Sequence, residues 1–197
     1  MRYLRMTLFL LAGLVLRADA TDLTPHFMNQ NRDGVVISSP FFADDGRKFG
    51  VKIDSETKLS AYEGGALFRF DKMPDASMRL RKSPLPADTG FGPQAIEGYQ
   101  QAARSLLPTG AADVTLVAVE PNPFPINHWK SLRVTFSYQV ANQFHRQSAT
   151  FLNLKPTEQI VVQTTADERN FEEVSNRTFG IIRRWHEILP EESAPFN

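Results

Sequence analysis

Between Leu132 and Leu154 the chain alternates apolar and polar residues, breaks once, and alternates again. Leu132, Val134, Phe136, Tyr138 and Val140 fall on one side of an extended backbone, and Arg133, Thr135, Ser137 and Gln139 on the other. A period of two belongs to a β-strand, and a face this apolar has to be covered. No other stretch restricts the fold as much, because it demands a sheet with a lid.

The break, Ala141 to Phe144, is of hairpin length, so His145 to Leu154 is expected to return antiparallel. A second hairpin through Lys155-Pro156-Thr157 leads to a strand over Ile160 to Thr164. Thr165 and Glu168 then form Thr-x-x-Glu, a capping box that satisfies two backbone N–H groups at a helix start. Phe171, Val174, Thr178, Ile181, Ile182, Trp185 and Leu189 follow as one stripe ended by Pro190, and this helix is the simplest cover for the apolar face. Gly180 inside it costs about 1 kcal/mol relative to alanine, which points to close packing at that position.

Upstream, Pro93 suits the first residue of a helix that carries Ile96, Tyr99, Ala103 and Leu106 and stops at Pro108. Val114, Leu116 and Ala118 begin a strand after it. Asp33-Gly34 before Val35-Val36-Ile37 reads as a turn entering a strand, and short strands are expected at Val51 to Ile53, Ala66 to Phe70 and Met78 to Arg81. Pro84, Pro86, Gly90 and Gly92 mark the link between the two halves. The fold class that follows is α+β, a mainly antiparallel sheet of about six strands flanked by helices in an α/β/α sandwich.

The first twenty residues stand apart. Arg2 and Arg5, an uncharged apolar run from Met6 to Leu16, and Ala18-Asp19-Ala20 are the three parts of a secretory signal, with cleavage expected between Ala20 and Thr21. A spanning helix needs roughly 20 apolar residues, which this run lacks. A single domain is expected over residues 21–190, with a polar tail at 191–197, and the destination is the periplasm or the exterior. The chain has no cysteine, so neither a disulfide nor an acylated cysteine contributes to stability or anchoring. The leader holds three arginines and one aspartate, leaving a net charge of about −2 on the remainder. With no run of basic residues, nucleic acid and anionic membrane surfaces are poor candidate partners.

The order from Gly92 to Leu189 resembles the PsbP-like superfamily: a helix, a strand, a Pro/Asn-containing connection, a meander of aromatic-rich strands, and Thr-Ala-Asp-Glu-x-x-Phe opening a last helix. Phe136-Ser137-Tyr138, Phe151-Leu152, Val161-Val162 and Phe171 carry the resemblance. It implies an antiparallel sheet between helices and a non-enzymatic role as a binding or assembly factor, and it fixes no partner.

The motifs that could carry chemistry are incomplete. Asn29-Gln-Asn31-Arg-Asp33-Gly34 imitates a calcium loop, but Pro40 stands where the bidentate glutamate belongs. Gly90-Phe91-Gly92 with Glu120 imitates a dinucleotide site with no buried strand before it. His186-Glu187 lacks the second histidine of a zinc protease, since Pro190 occupies its place, and reads as a helix end. No cofactor and no metal site is therefore expected. Pro121 to Trp129 is the segment to watch, because Phe124, His128 and Trp129 sit among prolines on a connection, where aromatic side chains anchor protein partners. The expected function is that of an exported, non-catalytic accessory protein that binds another envelope protein. An envelope hydrolase assembled only in the fold, or a carrier of an apolar ligand, are the alternatives.

Overall fold

The structure, a computed structural model, describes residues 22–44, 46–123, 129–156 and 158–189. The segment expected to be a secretory signal, Phe124, His128 and the tail expected at 191–197 lie outside the described residues.

Two sheets, both antiparallel throughout, account for most of the described chain. The smaller has four strands in the order β1-β2-β3-β11: Asp22–Arg32, Val35–Asp44, Arg47–Gly50 and His186–Ile188. The larger has seven, in the order β4-β5-β6-β10-β9-β8-β7. Its strands are β4 (Thr57–Tyr62), β5 (Gly65–Phe70), β6 (Met73–Lys82), β7 (Ala112–Pro121), β8 (Ser131–Val140), β9 (Gln143–Lys155) and β10 (Glu158–Asp167). Helices α1 (Ile96–Ser105) and α2 (Phe171–Ile182) lie on its opposite faces, so the α+β class holds while the expected six strands become two sheets of seven and four.

The meander forms as its alternation dictates, with Leu132 opposite Phe151 and Val134 opposite Ala149. The hairpin turns at Ala141-Asn142, both at positive φ (50° and 64°), the backbone that a two-residue connection with the right strand twist requires. The lid is not the expected one. Leu132, Val134, Phe136, Ala149, Phe151 and Val161 pack against Tyr99, Ala102 and Ala103 of α1. α2 lies on the other face, where Phe171, Val174, Phe179, Ile181 and Ile182 meet Phe68, Phe70, Met78, Leu80, Ile160 and Val162. The side of β8 read as polar is thus under α2: Arg133 binds Glu120 through Nε (2.8 Å) and Nη2 (2.9 Å) while its guanidinium lies over Phe179 at 5.3 Å.

Three further expectations at this end are corrected. Thr165 stays in β10, opposite Gln147, and α2 starts at Phe171 after a turn in which Asp167 accepts the Asn170 N–H at 2.7 Å. The capping box fails because pairing with β9 and β6 satisfies the backbone of Thr165 first. α2 also ends at Ile182 instead of running to Leu189, and His186–Ile188 becomes β11, antiparallel to β3. Gly180 has open space where a Cβ would stand, so close packing does not explain it. A glycine that packing does require is Gly65, whose Cβ would come within 2.0 Å of the Leu80 carbonyl oxygen.

In the first third the Asp33-Gly34 turn forms as read, at φ 50° and 81°, between β1 and β2. β1, β3 and β4 had no alternation strong enough to announce them, and Val51 to Ile53 lies outside any strand. Leu23, Phe42 and Val51 join the core beneath α2, so the small sheet closes the edge of that core.

Candidate functional site

The small sheet contributes two register pairs to one wall of a cleft: Phe42 opposite Phe49 and Asp44 opposite Arg47. Leu154 and Lys155, at the end of β9, form another wall, and Trp129 and Trp185 complete it. The space enclosed is about 180 Å³. Trp185 holds the floor, with its ring 5.2 Å from Phe42 and 6.0 Å from Trp129, the latter edge to face. Quadrupoles favour that arrangement of aromatic rings, so the two indoles brace each other. Trp185 is 8% exposed, whereas Trp129 is only half buried and presents part of its ring to the opening.

Charge is gathered on one side of this apolar slot. Asp44 is 5% exposed, and its carboxylate accepts from Arg47 Nη2 at 2.9 Å and from Lys155 Nζ. Glu158 Oε2 lies 3.9 Å from the same ammonium. Removing a carboxylate from water is tolerable only with such partners, and the cluster joins the small sheet to the β9–β10 turn. The Arg47 guanidinium lies 5.1 Å from the Phe49 ring centre, extending the aromatic wall into the charged one.

A cavity of this size accepts one ring or one branched side chain, since an apolar cavity of about 150 Å³ binds benzene. It falls short of the roughly 300 Å³ at which small-molecule pockets begin, so the carrier alternative gains nothing from it. Two grooves are larger but polar. The first, about 370 Å³, runs along α2 between Asp54, Arg177, Gly180 and Arg184, and the second, about 320 Å³, lies by Asn142, Phe144, Asp167 and Glu168. In the first, burial alone would raise the Asp54 carboxyl. The Thr57 hydroxyl (2.7 Å) and the Arg177 guanidinium (3.1 Å) overcome that and hold it below its ordinary value.

Of the three sequence candidates, Trp129 lines the cleft, while Phe124 and His128 fall outside the described residues. In the sequence Trp185 belongs to a helical stripe and Lys155 to a hairpin, and no pattern marks Phe42, Asp44 or Phe49 as their neighbours. Their meeting depends on β11 and the small sheet, for which a three-residue strand and a polar β1 give almost no signal.

The described histidines stand apart from one another. His26 Nε2 is 2.9 Å from Asp22 Oδ2, a contact that is the first cause of the lowered Asp22 carboxyl. His145 stacks on Tyr138 at 5.6 Å, and His186 Nδ1 is 3.1 Å from the Arg184 carbonyl oxygen. Among the described residues none is hydrogen-bonded to a serine, and no group of three or more metal-ligating side chains occurs.

No family model matches the chain, and no curated protein matches it. Solved structures do. LpqN of Mycobacterium tuberculosis, described as involved in cell envelope biogenesis, matches with a TM-score of 0.48 at 8% identity, over 73% of this chain and 84% of that one. PA94 of Pseudomonas aeruginosa, of unknown function and a putative regulator in its own description, gives 0.39 at 9% over 84% and 97%. Cyanobacterial PsbP (CyanoP) from Synechocystis gives 0.41 at 12% over 84% and 94%. None of the three carries a role or a partner over to this chain. Among the described residues no helix is long and apolar enough to cross a membrane.

Proposed function

We propose that this is an exported, non-catalytic accessory protein of the cell envelope that holds a partner protein by one apolar side chain seated between Trp129 and Phe49. The observation that carries the reading is the cleft itself: an aromatic slot of about 180 Å³, sized for a single side chain and bordered by Arg47 and Lys155. Protein interfaces concentrate their binding energy in such anchors, with polar groups around them fixing orientation. The secretory signal expected over residues 1–20 supports the location.

Site-specific photo-crosslinking in the source cell tests it. A photoreactive residue at Phe49, on the cleft wall, should give one dominant protein adduct that disappears in a Trp129→Ala background. The same residue at Lys48, one position along β3 and on its other face, should not. Equal adducts from both positions, or none from Phe49, would overturn the reading.

A further inference from the structure

Away from the cleft, on the α1 side of the large sheet, lies a second arrangement with a chemistry of its own. Among the described residues five arginines are half buried: Arg79, Arg81, Arg133, Arg146 and Arg177. Three of them rest on a carboxylate, Arg133 on Glu120, Arg146 on Glu168 and Arg177 on Asp54. Arg79 and Arg81 do not, although they are the two that stand side by side, two residues apart on the same face of β6. Residues so placed on a strand have Cα atoms roughly 7 Å apart, so both guanidinium groups can reach one ligand.

Both groups are held in place. The Arg79 guanidinium lies 4.8 Å from the Tyr62 ring centre. Arg81 Nη2 donates to Gln163 Oε1 at 3.1 Å, and Gln163 is itself fixed, its Nε2 donating to Gln147 Oε1 at 2.8 Å and to the Leu106 carbonyl at 3.0 Å. The Nε atoms of both arginines are buried with no hydrogen-bond acceptor. Burial first, and then the neighbouring Arg79 charge, push the Arg81 guanidinium below its ordinary value, while Glu63 acts the other way without forming an ion pair. Arg69 adds a third guanidinium from β5 on the same face, also with no ion-pair partner among the described residues.

Two like charges held together and partly withdrawn from water oppose folding unless an anion joins them. Each guanidinium presents a planar fork of donors that matches paired oxygens, and two forks offer more donors than one carboxylate can accept. We propose that Arg79 and Arg81 form a binding site for a phosphate-type oxyanion, bridged between the two forks on the α1-side face of β6. The chemistry is shared by free phosphate and by the headgroup of an anionic phospholipid.

The test is NMR of the ¹⁵N-labelled protein at low ionic strength, following the arginine Nε–H signals during titration with inorganic phosphate. Those of Arg79 and Arg81 should shift saturably, and affinity should fall at least tenfold in an Arg79→Gln/Arg81→Gln variant but not in Arg183→Gln/Arg184→Gln. If the double variant does not fold, Arg79→Lys, which keeps the charge and loses the fork, should weaken binding about tenfold. A second titration, with monomeric short-chain phosphatidylglycerol, separates the sources, since tighter binding than phosphate identifies a lipid headgroup. Shifts at Arg79 and Arg81 no larger than those at Arg183 and Arg184, or affinity unchanged in the folded variants, would overturn the proposal.

Discussion

The two faces of β10 are built from alternate residues of one strand, yet they are held by different forces. Toward α2 it presents Ile160, Val162, Thr164 and Ala166, which meet phenylalanine, methionine and leucine side chains of β5, β6 and β9. The one polar residue of the four, Thr164, is matched by Thr178 of α2 at 3.3 Å. Toward α1 it presents Gln159, Val161, Gln163 and Thr165, three of the four polar. Gln159 donates to Tyr99 and to Asn153, both at 2.8 Å, and accepts from Ser83 at 2.6 Å. The apolar face tolerates any shape that fills it, whereas the amide face requires each donor to find its own acceptor.

Mutation separates the two. Phe68, fully buried beneath α2, should cost about 3–5 kcal/mol when changed to alanine, because both transfer and cavity terms apply. Urea unfolding measures it, and a loss below about 1 kcal/mol would show that the apolar face is loosely packed. Gln163→Leu, close in volume, should cost about 2 kcal/mol by removing the hydrogen bonds to Gln147, Arg81 and the Leu106 carbonyl. A stabilised Gln163→Leu protein would erase the distinction between the faces.

The smallest effect is set by pH and belongs to the α2 side alone. The folded Asp54 carboxyl titrates below its ordinary value of 3.8, so its stabilising contribution is complete above that value and is lost as pH falls through the folded pKa. Asp54 is 58% exposed, which limits the contribution to a few tenths of a kcal/mol. Asp54→Asn should therefore unfold at slightly lower urea than the unaltered protein at pH 6 and at the same urea near pH 2. A gap that persists in acid would assign the effect to something other than the charge.

The meander was legible because Leu132 to Val140 alternates cleanly, and a clean alternation leaves one register open. Which helix covers it was not, because β9 and β10 carry buried residues on both sides: Phe151 beside Leu152, Val161 between Ile160 and Val162. Alternation says that a face is covered, never by what. The capping box at Thr165 is a local preference that pairing with Gln147 outweighs. β1 reads as polar because its distal end projects beyond the core, leaving Phe27 52% exposed. The residue type of Trp129 marks it as a candidate, but the cleft that it lines comes together only through contacts distant in sequence.

Pairing of β11 with β3 sets His186 against Gly50, so the small sheet gains its last strand from the far end of the chain. Contacts between residues so far apart form slowly, because the intervening polypeptide must first be ordered. During synthesis, β1, β2 and β3 emerge long before the segment that borders them, and the free edge of β3 is then a template for any extended stranger. The aromatic slot is also incomplete until that late arrival, since Trp185 stands directly before β11. The walls that Phe42, Phe49 and Trp185 give the slot therefore come together only as β11 docks, at the close of folding.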